Sequence, residues 1–385
     1  MFKIGDLKKI SLMDEAIRQE YNVKRIELFG DNLDQHPVYF LNKKPFYCFS
    51  LPNALIVGVP SIFGFLRDTT FHVAREGFNY DVDHEFINPA LASLDDGDVQ
   101  GLELSGEWCA LYNEHTFNFW HWTMEYLPRA AALEEAGYKG NYIIRQVDNG
   151  TMAFVYESLI ALGIMPERVH LPPAKILKVE RLFATQKFDG RNEYLFYPDL
   201  FYSVRDRILH HLARKYPDGL LNLGKRIYIA RRPSADRGVV RLVRNEAELL
   251  QKIEAENFTY VCMEDYSFME QVSIVANADI VLAPHGAGMA LTMFMPRDSM
   301  IIEMFSPEYV NPCMTASTFL LNQRYHMLTS QVLPFRDEYR NVDMTVPVFN
   351  VRQILHSLRP SKPAPKPDMG STKKTDQKTK TKTLV

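Results

Sequence analysis

The segment IVLAPHGAGMALTMF, residues 280–294, combines a bend of small residues with a histidine. A run of apolar and β-branched residues stops at Pro284, and an apolar segment of helical character follows the bend. Gly286 and Gly288 allow a close approach that a Cβ atom would block. The first N–H groups of a helix lack internal partners and carry partial positive charge, so a diphosphate fits there. The residues predicted to hold the diphosphate are His285, Gly286, Ala287 and Gly288.

Arginines cluster at the end of a second predicted strand, KRIYIARR, residues 225–232. Arg231 and Arg232 end this strand, and three more arginines follow closely, namely Arg237, Arg241 and Arg244. A guanidinium is always charged, and its forked donors match the geometry of a phosphate. Because parallel strands end at one rim of a sheet, we predict that Arg231 and Arg232 neutralise a diphosphate beside the glycine bend.

A carboxylate, Glu303, ends the strand that follows the glycine bend. At that position it could accept hydrogen bonds from ribose hydroxyls, as in dinucleotide-binding folds. This raises a competing class, an NAD-type dehydrogenase. The motif G-x-G-x-x-G is not met, however, because Leu291 occupies the third glycine position. The bend also comes late in the chain instead of opening a leading βαβ unit.

The segment FNFWHWTMEYLPRAAAL, residues 117–133, carries a second candidate constellation. His121 and Glu125 are four residues apart, so on a helix they share a face and the carboxylate can orient the imidazole as a base. Trp120 and Trp122 supply flat apolar surfaces of the kind on which sugars stack. A core aromatic cluster with one satisfied histidine is the alternative interpretation of this segment.

The elements that must position these residues are clearest in the C-terminal half. Predicted strands over residues 225–232, 258–263, 279–283 and 299–305 alternate with helical patterns. Asn245 and Ser267 begin the two longer helices, the second with the capping box S-x-x-E. Near-continuous apolar strands that alternate with helices predict a parallel sheet covered on both faces. The glycine bend then lies at the carboxyl end of a strand, where open α/β sheets bind ligands.

The N-terminal half has a mixed pattern. The predicted strands span residues 54–59, 141–145 and 175–185, and the predicted helices span 119–136, 151–163 and 197–217. Pro128 either kinks the first helix or begins a second one. We place the domain junction near residues 218–224.

The bulk composition describes a globular protein of ordinary charge. The chain has 385 residues, 46% hydrophobic residues and a formal charge of -3. Such a near-neutral balance gives no reason to expect a nucleic-acid binder. Residues 361–385 carry seven lysines and two aspartates, and this segment is expected to be a disordered tail that could make weak peripheral contact with an anionic surface. No transmembrane segment or signal peptide is predicted, so we expect a cytoplasmic protein.

Acidic clusters are the candidate metal ligands. Asp81 and Asp83 spell D-x-D, the pattern that holds a metal on a nucleotide-sugar in one class of transferase. A second acidic cluster comprises Asp95, Asp96 and Asp98. Neither cluster ends a convincing strand, and the four cysteines form no ligand-like grouping with histidine. We therefore expect no metal site.

Several of these stretches, taken in chain order, resemble one known family. They are NFWHWTMEYLPR, IARR followed by RLVRNEAEL, EDYSFMEQVSIVANADIVLAPHGAG, and SMIIE. Over roughly residues 115–305 the chain resembles the glycosyltransferase 61 family. The resemblance implies an α/β fold of the GT-B type, with two Rossmann-like domains and a cleft between them. It also implies an inverting transferase that needs no metal and no cofactor beyond its nucleotide-sugar donor.

The resemblance also implies residue roles. The family's motif residues fall here on His121, Glu125, Arg129, Arg231, Arg232, Asn245, Glu246, Ser267, Phe268, Glu270, Gln271, His285, Gly286, Ala287, Gly288 and Glu303. From these we expect Arg129 to join the tryptophans in binding an acceptor, and Glu270 to join Glu303 in binding the nucleotide. The chain departs from the family after the bend, where Met289, Ala290 and Leu291 replace the usual Leu-Thr-Asn.

These observations lead to a functional hypothesis. The chain is expected to move a sugar from a nucleoside diphosphate sugar to a carbohydrate or glycoconjugate hydroxyl in polysaccharide or glycan biosynthesis. The donor expected before others is a UDP-sugar. The expected domains are an acceptor-side domain (1–220), a nucleotide-sugar domain (221–345), a helix that crosses back (346–360) and the tail (361–385). His121 or Glu125 would be the base. A non-catalytic nucleotide- or carbohydrate-binding module is the alternative.

Overall fold

The structure is a computed structural model of the chain. It describes residues 38–40, 48–59, 62–67, 70–72, 102–111, 116–144, 153–171, 176–185, 189–190, 193–232, 241–306, 309–311, 313–329 and 343–357. The acidic clusters at Asp81, Asp83, Asp95, Asp96 and Asp98 lie outside these residues, as does the tail 361–385.

The strands are β1 (Val38–Phe40), β2 (Cys48–Val59), β3 (Ile62–Arg67), β4 (Thr70–His72), β5 (Leu102–Ala110), β6 (Asn141–Ile143), β7 (Val169–His170), β8 (Ile176–Thr185), β9 (Asp189–Gly190), β10 (Glu193–Phe196), β11 (Arg226–Ile229), β12 (Phe258–Val261), β13 (Ile280–Pro284), β14 (Met300–Phe305) and β15 (Arg324–Thr329). The last five form one sheet in the order β12-β11-β13-β14-β15, and every pair in it is parallel. The parallel C-terminal sheet predicted from the sequence is therefore confirmed.

The C-terminal sheet is buried on both faces, which explains its apolar strands. All residues of β13 and β14 are buried. Successive side chains of a strand point to opposite faces. Val281 and Ile301 enter one hydrophobic cluster, the first core, while Leu282 and Ile302 enter another, the second core. By the same alternation Glu303 lies on the first-core face of β14.

The N-terminal sheet is mixed instead of Rossmann-like throughout. Its order is β4-β3-β2-β8-β5-β6-β7. The pairs on the β4 side, through β2 and β8, are antiparallel, whereas β8-β5, β5-β6 and β6-β7 are parallel. The predicted two-domain GT-B arrangement is not confirmed by this topology. What is shown is an α/β fold in which at least one sheet is parallel and compatible with a Rossmann-like domain.

The helices are α1 (Phe119–His121), a π-helical turn (Trp122–Tyr126), α2 (Leu127–Glu135), α3 (Ala153–Ala161), α4 (Pro198–Lys215), α5 (Glu246–Glu254), α6 (Phe268–Ala276), α7 (Thr315–Leu320) and α8 (Val348–Ser357). Three 3₁₀ helices cover Pro166–Arg168, Met263–Asp265 and Ala287–Phe294. The helix predicted to cross back toward the N-terminal half, α8, packs against α5 and buries Val351 and Leu355 in the second core. It therefore covers the second-core face of the C-terminal sheet.

The first core is continuous across residue 220, where the domain junction is predicted. It joins Trp122 and Leu127 of the N-terminal half to Val281 and Ile301 of the C-terminal sheet. Hydrogen bonds reinforce this contact: Arg205 of α4 donates to the carbonyl oxygens of Met293 and Met295, each at 2.9 Å. The two halves therefore meet through a packed interface beside the predicted site.

The segment around Pro128 satisfies both sequence-based alternatives in part. The chain stays helical from α1 to α2, but residues Trp122–Tyr126 widen into a π turn, and Leu127 N–H donates to the Trp122 carbonyl. Pro128 falls in the first turn of α2, where its missing N–H has no helical role. Its ring would clash with the carbonyl of residue 124 in a regular helix, and the wider turn relieves that clash. π turns inside helices are frequent at functional sites.

Glu270 serves the start of α6. Its carboxylate accepts from the Ser267 backbone N–H at 2.9 Å and from the Ser267 hydroxyl at 2.8 Å, so the predicted capping box is present. These hydrogen bonds lower the pKa of Glu270. The structure therefore gives Glu270 a helix-capping role in place of the expected nucleotide contact.

Removing the cap should cost stability. We expect Ser267→Ala to lower the free energy of unfolding by about 1 kcal/mol, because the Glu270 N–H at the start of α6 loses its acceptor. Chemical denaturation measures the change. Ser105→Ala, at another exposed serine, is the control and should stay within about 0.5 kcal/mol of the parent. Equal effects of the two substitutions would contradict the cap.

Candidate active site

One pocket is lined by five of the predicted site residues, namely Trp120, His121, His285, Gly286 and Ala287. Its lining comes from four separate segments of the chain: Asn118, Trp120 and His121; Arg241; His285, Gly286 and Ala287; and Tyr309, Asn311, Cys313 and Met314. It encloses about 440 Å³, counting the space open to solvent at its mouth. The pocket lies at the carboxyl ends of β13 and β14, where the parallel sheet was expected to bind a ligand.

His285 is held at the pocket wall by a buried carboxylate. Its Nδ1 lies 2.6 Å from Oε1 of Glu303, which is fully buried. The other carboxylate oxygen accepts from the Tyr325 hydroxyl of β15 at 2.6 Å. A carboxylate oxygen accepts from a ring N–H, so the tautomer that suits this contact has its proton on Nδ1. Both oxygens of Glu303 are thereby engaged, and the carboxylate orients His285 in place of the expected ribose contact.

Aromatic rings fix the plane of the His285 imidazole. The Phe305 ring stacks on it with centroids 4.9 Å apart and an interplanar angle of 22°. The Tyr309 ring meets it nearly edge-on at 5.5 Å. With Nδ1 turned to Glu303, Nε2 is the ring nitrogen that remains for a ligand in the pocket.

Gly286 is required by its neighbour more than by its backbone angles. Its φ of 175° is extended backbone that any residue adopts. A Cβ at this position would lie 3.0 Å from Nη1 and 3.1 Å from Cζ of Arg231. The same Nη1 donates to the His285 carbonyl oxygen at 2.8 Å. Arg231 therefore reaches the bend as predicted, and its visible action is to brace the backbone there. A Cβ on Gly288, by contrast, would meet nothing within 4 Å.

Arg232 does not join the pocket lining. Its guanidinium makes two 2.6 Å hydrogen bonds to the Asp265 carboxylate, and its side chain is 54% exposed. This pairing raises the pKa of Arg232. The predicted pair of phosphate-binding arginines is thus divided, with Arg231 at the bend and Arg232 in a surface ion pair.

The cation that lines the pocket is Arg241. Its guanidinium carbon lies 5.1 Å from the Tyr309 ring centroid. Its Nε and Nη1 are buried and have no hydrogen-bond acceptor in the part of the chain that the structure describes. Burial lowers the pKa of Arg241, because desolvation disfavours the charged form. An anion in the pocket would supply the missing acceptors and offset that cost.

His121 and Glu125 form the predicted pair on one helical face. His121 Nδ1 lies 3.0 Å from Glu125 Oε2, and the His121 side chain is 26% exposed where it lines the pocket. Asn118 caps the helix start by accepting from the N–H groups of Trp120 and His121. A carboxylate on Nδ1 leaves Nε2 of a neutral His121 as an acceptor, which is the geometry of a general base.

The aromatic surfaces expected to stack on an acceptor are mostly core. Trp122 is fully buried, stacks on Tyr126 and donates from Nε1 to the Ser158 hydroxyl at 2.8 Å. Arg129 is also buried, with its guanidinium carbon 4.5 Å from the Tyr126 ring centroid. Trp120 is buried but does line the pocket. The alternative interpretation, a core aromatic cluster, therefore holds for Trp122 and Arg129.

Cys313 links the two histidine–carboxylate pairs. Burial raises the pKa of this thiol, and the charges of Glu303 and Glu125 raise it further, whereas Arg241 lowers it. The Cys313 thiol lines the same pocket as His121, His285 and Arg241.

Two absences apply only to the described residues. In that part of the chain, no helix is both long and apolar enough to cross a membrane. Within the same ranges, no three side chains of His, Cys, Asp or Glu come together as a metal site.

The sequence comparisons identify the class of protein. Residues 119–302 match the model of the family described as Glycosyltransferase 61. This match confirms the resemblance to the glycosyltransferase 61 family predicted from the sequence. The match supports a glycosyltransferase.

Particular relatives match over a shorter stretch. The chain is 36% identical over 90 residues to protein O-linked-mannose β-1,4-N-acetylglucosaminyltransferase 2 of Xenopus tropicalis, which is 21% of this chain and 16% of that protein. With the Homo sapiens protein of the same name it shares 41% identity over 76 residues, 19% of this chain and 13% of the relative. The matched stretch thus spans less than a fifth of either relative.

The expected cytoplasmic location is wrong. It rested on the expectation, from the sequence pattern, of neither a signal peptide nor a membrane span. The relatives are named as transferases that act on O-linked mannose of proteins, and such enzymes belong to the secretory route.

Some residues of the site were not assigned from the sequence. Tyr309 and Asn311 of the pocket lining carry no motif, nor does Tyr325, which donates to Glu303, and Arg241 was only one of five clustered arginines. Tyr325 could have been noticed, because it lies on the strand next to β14 and faces the first core, which it contacts. The position of Arg241 depends on the chain path after β11, for which no local pattern exists.

The contact between Gly286 and Arg231 predicts a coupled pair of substitutions. Gly286→Ala should destabilise the protein, because the new Cβ displaces the guanidinium that braces the bend. In an Arg231→Ala background the same change should cost less, with a coupling of roughly 0.5–3 kcal/mol. Denaturant unfolding of the four variants measures it.

Gly288→Ala is the matched control, since its Cβ has open space. We expect it to be nearly additive with Arg231→Ala. Additive effects at Gly286 as well would show that the bend does not depend on Arg231.

Proposed function

We propose that the chain transfers a sugar from a nucleoside diphosphate sugar to a hydroxyl of a glycan or glycoprotein, with inversion. The proposal rests on one observation above all. His121 of the N-terminal half, which pairs with Glu125, and an anion-tolerant wall from the C-terminal half line the same pocket. A sugar transfer needs both a base for the acceptor and a stabilised leaving group.

The leaving group is the nucleoside diphosphate. It would lie against the bend at His285, Gly286 and Ala287, with the buried guanidinium of Arg241 beside it. When the bond between the anomeric carbon and the phosphate oxygen breaks, the electron pair stays on the diphosphate. Fixed cations and N–H donors stabilise that growing charge more than they stabilise the bound donor, which is what accelerates the step.

The acceptor side is assigned to His121. Nε2 of this ring would take the proton of the acceptor hydroxyl as its oxygen attacks the anomeric carbon from the face opposite the leaving group. Glu125 holds Nδ1–H and stabilises the imidazolium that forms. The β linkage in the relatives' printed names agrees with inversion, since common UDP-sugars carry the sugar in α linkage.

UDP-N-acetylglucosamine is the first donor to test, because the relatives are named as N-acetylglucosaminyl transferases. No metal or other cofactor is proposed. A mannose-containing glycan is the first acceptor for the same reason. Release of free UDP with transfer to acceptor supports the enzyme, whereas saturable binding without turnover would support a non-catalytic binding module.

The leaving-group assignment predicts a specific loss in one arginine variant. Arg241→Gln should weaken UDP binding by roughly 10- to 100-fold, because a charge-assisted hydrogen bond is worth about 1.5–3 kcal/mol. Isothermal titration with UDP measures the affinity. Arg214→Gln, at an exposed arginine of α4, is the matched control and should bind as the parent does. Unchanged binding in Arg241→Gln would overturn this assignment.

The base assignment predicts a loss of rate without a loss of binding. His121→Gln should lower the transfer rate by about 10²- to 10⁴-fold, the usual contribution of a general base, while UDP affinity stays close to that of the parent. Glu125→Gln should give a smaller loss in the same direction. Initial rates of UDP release with acceptor present measure both. Transfer at the parent's rate by His121→Gln would exclude this base.

A further inference from the structure

Besides the His121 pair, the pocket wall contains a second histidine–carboxylate pair that lies deeper in the protein. His285 Nδ1 contacts Glu303 at 2.6 Å, and Glu303 is tied in turn to Tyr325 at 2.6 Å. The ring is only 4% exposed and is packed by Phe305 and Tyr309. So much fixed structure around one ring exceeds what a bend between a strand and a helix requires.

The tautomer decides what the ring can do. Because Glu303 accepts the Nδ1 proton, Nε2 of a neutral His285 has a lone pair and no hydrogen. In that state the Nε2 lone pair would face an oxygen of the diphosphate. Both atoms are hydrogen-bond acceptors, so they would repel each other. A second proton on Nε2 turns the contact into a charge-assisted donor, and the buried Glu303 charge balances the imidazolium.

We propose that Glu303 and Tyr325 are positioning residues that hold His285 ready to take up a proton when a nucleoside diphosphate binds. The proposal deepens the proposed function and rests on it. On binding, a proton moves from solvent to His285 Nε2, which then donates to a phosphate oxygen. The proton returns to solvent when the diphosphate leaves, so charge and protons balance over the cycle.

The charges of the groups around His285 decide when its ring can take up a proton. Among the described residues on its own side of the pocket, Glu303 is the negative group that contacts its ring, and Arg231 donates to its carbonyl oxygen. Burial raises the pKa of the Cys313 thiol, which keeps this group neutral. Arg241 is a fixed cation that acts against a second positive charge until a diphosphate is present. Ligand and proton should therefore bind together.

In the part of the chain that the structure describes, the facing wall adds the titratable group His121, which pairs with Glu125. In the proposed reaction His121 must be neutral to accept a proton, whereas His285 must be protonated to donate one. The two rings share a pocket but differ in their neighbours: His121 is partly exposed, and His285 is buried beside a carboxylate that also holds Tyr325.

Tyr325 should tune how firmly the proton is held. Its hydroxyl withdraws charge from Glu303 by donating to Oε2. Without that donor the carboxylate keeps more charge for the imidazolium, so Tyr325→Phe should extend proton uptake to higher pH. Glu303→Gln removes the balancing charge and should abolish the uptake. The two substitutions in one hydrogen-bonded chain thus act in opposite directions, which a purely structural role does not predict.

Calorimetry of UDP binding tests the proposal. Titrations in buffers of different ionisation enthalpy, from about pH 5.5 to about pH 9.5, give the number of protons taken up per UDP. We expect uptake of up to about one proton per UDP. In the pH range where a full proton is taken up, the affinity for UDP should fall by up to about tenfold for each unit that the pH rises. His285→Gln should lose the uptake, and His121→Gln should keep it.

The outcomes separate the proposal from the function on which it rests. If neither UDP nor GDP binds, the proposed function fails. If UDP binds without proton uptake, or if His121→Gln and not His285→Gln removes the uptake, only the present inference is overturned. Tyr325→Phe provides the conservative variant should Glu303→Gln fail to fold, and Tyr156→Phe, at an exposed tyrosine of α3, is its matched control. The proposal is supported if the pH range of proton uptake shifts in Tyr325→Phe and does not shift in Tyr156→Phe.

Discussion

The pocket depends on one buried charge. Glu303 sits inside the first core with no exposure to solvent, and an isolated carboxylate there would be very costly. The structure satisfies it with a donor from the neighbouring strand, Tyr325, and a donor from the bend after β13, His285. Because both oxygens are used, the carboxylate fixes the bend, and the bend fixes the wall on which a diphosphate would lie. Arg231 adds a brace from β11.

The same pocket depends on the contact between the two halves of the chain. The N-terminal helix that carries His121 packs against the 3₁₀ helix after the bend, and the first core continues beneath both. The π turn follows His121 directly and lets the helix pass Pro128 without a break. A base and a leaving-group wall that come from distant parts of the sequence are thereby held at one cavity by ordinary hydrophobic packing.

Two residues that the resemblance implied to be motif residues stabilise the fold. Asn245 exchanges two hydrogen bonds with the backbone of Val346 and makes no capping bond to its own helix, contrary to the sequence-based expectation. Gln271 donates to the carbonyl oxygens of Met263 and Tyr266, which fixes the loop that carries the partner of Arg232. A family motif therefore records both the chemistry of a site and the contacts that hold its loops.

The sequence by itself determined the elements whose signal is local. The apolar strands β11 to β14, the capping box at Ser267, the pairing of His121 with Glu125 and the placing of the glycine bend at a strand end all follow from spacing of a few residues. Tertiary structure decided which side chains face the pocket. Arg241 enters it while Arg232 turns to Asp265, and Glu303 is buried while Trp122 becomes core. Those outcomes depend on contacts between residues far apart in the chain, and no short pattern encodes which of several similar side chains will be desolvated.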